Sequence, residues 1–382
     1  MNLQAPLWSS GFRPFFLLGA VHGPLAVALW MLAPLPPLWH AHEMVYGFAT
    51  AIVCGVLLTA LPSWTGAAEL RGAPLAALSG LWLAGRLAML SGGSLPPIAV
   101  ALLDCALLPV LCLLLAPVLG VGRRLLFLWT LPPLVALAIG NVLFHVAAAH
   151  GSSDDAAWAI RLGLHALAFL FSLYGGLLTP AFTRNYLRAR GETAAAIHVP
   201  LEYATAGAMV LFALADLAQA PAAWILASAM LAFAVQAVRF LRWRGWRTVA
   251  EPLLWTLHLG YLWFLATFLL RALAEVTHAV PQDAWTHSFT LGALGLVMTG
   301  LMTRVVLRHT GRPLVVAPAM QAAYWFAFAA ALARLAYSVH GLADWVLAGS
   351  AAAWSAAFLI YVVLYGAMLV GPSLPRVQPR PA

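Results

Sequence analysis

With 382 residues, 63% of them hydrophobic and only 8% charged, the chain carries too much apolar sequence for a large soluble protein and reads as an all-α polytopic membrane protein. Its net charge of +8 comes from 20 basic residues, every one an Arg, set in short clusters between apolar runs; this excludes the continuous basic face that nucleic acid requires. Cys54, Cys105 and Cys112 lie inside apolar runs without paired spacing, which excludes a disulfide framework or a thiolate metal site and leaves them as small hydrophobes.

From the N-terminus, MNLQAPLWSSGFRPFF lacks the charged start and small-residue cleavage site of a removable signal peptide, so the first span is expected to stay. Apolar runs between Pro, Gly and charge breaks predict twelve transmembrane helices, at roughly 14–33, 40–62, 73–90, 97–120, 125–149, 157–179, 201–217, 221–241, 252–277, 284–304, 319–340 and 345–370. The charges support this count. Arg13, Arg71, Arg123, Arg124, Arg184, Arg188, Arg190, Arg239, Arg242, Arg244, Arg247, Arg304, Arg308, Arg312, Arg376 and Arg380 fall at the N-terminal end, the even-numbered connections or the C-terminal tail. The opposite connections hold His150, Asp154, Asp155, His278, Asp283, His340 and Asp344, and no Arg. The positive-inside rule then puts both termini in the cytoplasm. Trp39, Trp158, Trp224, Trp285 and Trp345 are expected in the outer interfacial belt, and Trp8, Trp64, Trp129, Trp243 and Trp246 in the inner one.

The second span opens on WHAHEM (Trp39 to Met44), two imidazoles and a carboxylate at the mouth of an apolar run. On a helix His40 and His42 point some 200° apart, whereas His40 and Glu43 share a side, so one turn serves two separate sites. The spans that follow carry a recurrence. GVLLT (Gly55 to Thr59), GGLLT (Gly175 to Thr179) and TGLMT (Thr299 to Thr303) end spans two, six and ten, with His42, His165 and His287 upstream. Three four-helix units around a pseudo-threefold axis would produce this; so would chance, in a chain so rich in Gly and Leu.

At ~1.5 Å per residue, His145 lies ~6 Å below the outer end of span five, His165 ~12 Å into span six and His287 ~5 Å into span ten. With His40 and His42 they occupy one outer layer. Imidazoles on separate helices of a bundle hold haem iron or copper in a membrane, whereas Ca or Mg would want oxygen ligands. The bland alternative is that each ring hydrogen-bonds a carbonyl or hydroxyl nearby.

Four arginines break the charge rule and share this layer: Arg86, Arg161, Arg271 and Arg334. At least two of them are expected to hold haem propionates or to neutralise an anionic path. Local pairing explains Arg271 with Glu275, and Arg161 with Asp154 or Asp155, but Arg86 and Arg334 have no acid within four residues. Glu43 reads either as the catalytic proton relay or oxygen ligand of the layer, or as a charge that favours the helix N-terminus. Asp104, alone in span four, reads as part of a proton path or as a satisfied polar contact. His258 and His309 lie towards the inner side, as a second site or as structural groups. His22, His150, His198, His278 and His340 read as loop or interface residues.

Several segments together resemble the NnrS family, haem- and copper-containing membrane proteins of the bacterial response to nitric oxide. They are FRPFF (Phe12 to Phe16), WHAHEMVYGF (Trp39 to Phe48), LPSWTG (Leu61 to Gly66), NVLFH (Asn141 to His145), GGLLTPAFTRN (Gly175 to Asn185), LHLGYLW (Leu257 to Trp263), HSFTLGALG (His287 to Gly295) and RVVLRHTGRPL (Arg304 to Leu314). The resemblance implies a twelve-helix protein of the bacterial inner membrane, with haem b and copper, that binds and reduces or detoxifies nitric oxide and relieves nitrosative stress during denitrification. Quinol or another membrane electron donor would be its partner, along with membrane lipid and the gas itself. On matched positions it points to His40, His42, His145, His258, His287 and His309 as ligands, without apportioning them. Leu177 stands where the family often has Arg, and Arg308 where it usually has Gly, which puts any role of those two positions in question. The recurrence on every fourth helix is also similar to the haem-copper oxidases, but this chain lacks their paired histidines on spans seven and ten, so that likeness extends to architecture only. A twelve-helix secondary transporter without a redox cofactor is the rival reading; the off-centre polar layer counts against a midplane carrier site.

Overall fold

A computed structural model describes residues 3–91, 93–119, 127–193, 196–277 and 279–375. Among these residues there is helix and no strand. Arg123, Arg124, His278, Arg376 and Arg380 lie outside the described residues, as do the predicted start of span five and end of span four. Eleven helices are long and apolar enough to cross a bilayer: α1 (Phe12–Leu32), α2 (Trp39–Thr65), α4 (Pro97–Pro117), α5 (Phe127–Ala149), α6 (Ser153–Arg188), α7 (Val199–Leu217), α8 (Ala222–Arg242), α9 (Pro252–Val276), α10 (Ala284–His309), α11 (Pro318–His340) and α12 (Asp344–Val370). The twelfth, α3 (Ala73–Met89), is apolar but has 17 residues, ~25 Å at the helical rise and so slightly short of a ~30 Å hydrocarbon core.

Two helices depart from their predicted ends for identifiable reasons. α6 has 36 residues because Ser152 caps it, its Oγ accepting from the Asp155 N–H at 3.3 Å, with Asp154 and Asp155 in the positive first turn. At its other end it runs on through Pro180 to Arg188 instead of stopping at 179; an interior Pro bends a helix without having to end it when packing holds both halves. α4 is broken at Ala106 into Pro97–Cys105 and Leu107–Leu119. Pro109 cannot donate to the Cys105 carbonyl, and its ring crowds that oxygen, so the ladder parts there.

Consecutive helices pack side by side around the bundle, and α12 closes back on α1. The closure is pinned by Arg13. Its buried guanidinium donates to the carbonyls of Met368, Leu369 and Gly371 at 3.1, 2.8 and 2.7 Å and to Ser373 Oγ at 2.9 Å, satisfying carbonyls that the end of α12 leaves without an internal partner. Arg13 is thus a buried helix cap, not an interfacial charge. The inner helices are α2, α6 and α10, every fourth one, with α9 nearly as buried.

The aromatic belts hold only in part. Trp224 and Trp345 are exposed at the outer end and Trp129 and Trp246 at the inner end, but Trp39, Trp285 and Trp243 are buried. Trp39 and Trp285 open the inner helices α2 and α10, so the bundle covers them where an outer helix would present them to lipid.

Candidate functional site

α2 and α10 share a local device. Directly after His42, residues Glu43–Ala49 form a π-helical turn, and directly after His287, residues Ser288–Leu294 form another. A π turn widens the backbone and re-aims the side chains at its edge, and it is found preferentially at functional sites. In α2 it begins just after the helical turn that carries both imidazoles of WHAH, whose two-residue spacing already points them apart. Glu43 was expected on the side of His40; it lies instead with His42, whose Nδ1 is 3.2 Å from Glu43 Oε1.

His42 is fully buried. Its Nε2 lies 2.9 Å from Asn141 Oδ1 and 3.1 Å from Asp104 Oδ2, and His145 Nε2 lies 2.9 Å from the same Asp104 oxygen. Arg86 bridges the two carboxylates, donating to Glu43 Oε1 and to Asp104 Oδ1. His22 completes the cluster, its Nε2 3.0 Å from Glu43 Oε2. Its sequence position suggests a loop or interface residue, but it is buried on α1 against Gly47, where any Cβ would stand 2.6 Å from His22 Nε2. The missing side chain is what lets the ring in.

The charges do not cancel. Two carboxylates face one guanidinium, so with neutral imidazoles one negative charge is left inside the bundle, a costly state. One further positive charge balances it: a proton on an imidazole, or a metal ion. His42, Asp104 and His145 each offer one ligand atom, all within 4.8 Å of one another, and a two-nitrogen, one-oxygen set suits copper, zinc or iron.

His40 faces the other way. It stacks on Trp30 of α1, ring centroids 4.2 Å apart, and its buried Nδ1 has no hydrogen-bond partner. It lines a chamber of about 340 Å³ between α1, α2, α6, α10, α11 and α12, within the size range of small-molecule sites. His287 lines the same chamber, and its Nδ1 lies 2.9 Å from the Asp283 carbonyl. A proton on that nitrogen leaves the Nε2 lone pair available, the usual arrangement of a metal-binding imidazole. Arg334, also on the chamber wall, donates to Asp283 Oδ2 at 3.0 Å and to Ser338 Oγ.

A third cluster surrounds Asp216 in the last turn of α7. His165 Nε2 is 2.7 Å from Asp216 Oδ2, Arg161 reaches the same oxygen at 2.8 Å, and Arg271 Nε donates to Oδ1 at 2.7 Å while also pairing with Glu275. Arg161 therefore does not meet Asp154 or Asp155, which sit at the exposed cap two turns away. His165 stacks on Trp285, centroids 5.5 Å apart.

The five outer histidines thus form three groups: His42 with His145, His40 with His287, and His165 with Asp216. Towards the inner side, His258 Nε2 lies 2.9 Å from Thr183 Oγ1, and His309 lines a separate chamber; neither joins the outer layer. Sequence alone gives Asp216 and Asn141 no role and places His22 at a loop or interface. Asp216 sits in a helix's last turn, where an acid draws no notice, and Asn141 is neutral.

The molecule is thus a polytopic helical membrane protein with a buried His–Asp–His triad that could hold a metal ion, beside a histidine-lined chamber. The chain belongs to the NnrS family: the family description "NnrS protein" matches residues 6–373, nearly its whole length. Curated proteins contain no match to it. Membership associates the chain with metal and haem binding and with the response to nitric oxide.

Proposed function

We propose that this protein binds b-type haem between His40 and His287 and copper at His42, Asp104 and His145, and that it captures nitric oxide in the outer half of the bacterial inner membrane, relieving nitrosative stress during denitrification. The observation that carries the reading is the pairing of an imidazole from α2 with one from α10 across a single chamber, next to a buried triad on the same turn of α2. The unpartnered His40 Nδ1 and the pinned His287 Nδ1 fit a metal-binding role. When bound, haem iron and copper supply nitric oxide binding and electron transfer.

The remaining work falls to the chain's own groups. Arg334, at the chamber wall, would hold a haem propionate, with Asp283 fixing its guanidinium. Arg86, Arg161 and Arg271 are engaged by carboxylates and would position the buried clusters. Glu43, touching His22, His42 and Arg86, is the group placed to hold a proton beside the triad. Electrons would come from quinol or another membrane donor, and the arginine-rich ends of the helices would face the cytoplasm.

The test is the oxidised and reduced absorption spectrum of purified protein, with metal analysis. His40→Ala and His287→Ala should each abolish the haem signal, and His42→Ala and His145→Ala should remove copper while keeping haem. A colourless, metal-free preparation of the wild-type protein would overturn the reading in favour of a carrier.

A further inference from the structure

At the arginine-bearing end, opposite the histidine layer, a second chamber of about 390 Å³ opens between α2, α6 and α10. Its charged or titratable lining residues are Arg304, Arg308 and His309, and none of its lining residues is an acid. Arg304 lies over the Phe182 ring, its Cζ 3.9 Å from the centroid, a contact that uses the guanidinium face and leaves the N–H edge free. Neither Arg304 nor Arg308 makes a hydrogen bond or ion pair among the described residues; Glu251 acts on Arg304 only from beyond ion-pair distance. Ser63 and Asn185 line the same wall with side chains that make no hydrogen bond there. Thr59 is the contrast, since its hydroxyl already accepts from the Phe12 N–H at 3.0 Å and donates to the Gly55 carbonyl at 2.7 Å.

Two arginines at i and i+4 repel each other, and an isolated pair with no acid between them is unfavourable. The fully buried arginines are satisfied, Arg13 by carbonyls and Arg86, Arg239 and Arg271 by carboxylates. At this chamber Arg304 is half-buried and Arg308, Ser63 and Asn185 are exposed, and all four line one cavity. Beyond Val56, Leu178 and Leu301 the space narrows to an apolar void of about 80 Å³, so a charged ligand stops at the mouth and does not reach the outer chamber.

We propose that the inner chamber binds a phosphate-type oxyanion, gripped by Arg304 and Arg308 with Ser63 and Asn185 completing the donor set. Guanidinium forks match such oxygens bidentately. The phosphate belongs either to a free anion arriving from the aqueous side or to the headgroup of an anionic lipid at the same depth. This site is independent of the outer triad and chamber.

The full-length protein in neutral detergent would be titrated with inorganic phosphate by calorimetry. In parallel, nanodiscs of phosphatidylcholine containing phosphatidylglycerol would be examined by native mass spectrometry for retained lipid. Saturable phosphate binding weakened at least tenfold by Arg304→Gln and by Arg308→Gln identifies a free anion. Retention of phosphatidylglycerol over phosphatidylcholine, lost in the same variants, identifies the lipid. Arg188→Gln, an exposed arginine off the chamber, should change neither. Absence of both kinds of binding, or binding indifferent to the two substitutions, overturns the proposal. Arg308 is exposed, so its variant decides the matter even if the Arg304 variant fails to fold.

Discussion

Asp104 and Asp216 are both buried acids in the outer half of the bundle, and each is held by arginine and imidazole, yet the two clusters differ in charge. Around Asp216, Arg161 and Arg271 face Asp216 and Glu275, so the charges cancel and every carboxylate oxygen of Asp216 is engaged by a cation or by His165. Around Asp104, one Arg86 serves two carboxylates, and a single oxygen collects imidazoles from α2 and α5. The same three residue types make a closed structural pin in one place and, in the other, a charge-unbalanced group that could hold a metal ion. What separates them is the count of arginines and the convergence of two imidazoles on one atom.

Exchanging the acids should expose this difference most strongly. Asp104→Ala leaves Arg86 paired with Glu43 and should cost little in unfolding stability, whereas Asp216→Ala leaves Arg161 and Arg271 facing Glu275 alone and should cost ~3–5 kcal/mol. Only the first should remove bound copper, as read by metal analysis of whatever fraction folds. If both lost copper equally, the distinction between the clusters would fail.

Next in size is the imidazole comparison. His42→Ala or His145→Ala should bring copper content close to zero, whereas His165→Ala should leave it unchanged and lower only thermal stability. Glu43→Gln sharpens the point. It keeps the shape but weakens the hold on His42 Nδ1, and loss of such an outer partner should lower copper affinity ~10–100-fold in a competition titration. Smaller still is Arg334→Gln, expected to speed haem loss to an apo-globin acceptor without changing the copper content. His150→Ala, at the exposed end of α5, should alter none of these readings.

Much of the architecture was legible beforehand. The spans were readable because a bilayer demands a run of apolar residues of set length, and alternating arginines confirmed the count. Rise per residue converts sequence position into an expected depth, which is why His40, His42, His145, His165 and His287 are expected to share a layer. Three things were not legible. The π turn after His42 leaves no mark in composition, and Glu43 is engaged by His22 and Arg86 from neighbouring helices, beside His42 and not His40. The role of His22 depends on Gly47 across a helix interface. Asp104 was visible as a lone intramembrane acid, but its partners, on α2, α3 and α5, were not.

Hydropathy, charge alternation and motif therefore determined by themselves that this is a polytopic NnrS-family membrane protein, because those signals are local and the bilayer reads them one span at a time. Tertiary structure alone decided which imidazole meets which carboxylate, which neighbours His40 and His42 each face, and where charge is left unbalanced. The rotation of each helix about its axis is set by packing against neighbours distant in the chain, and depth says nothing about that angle.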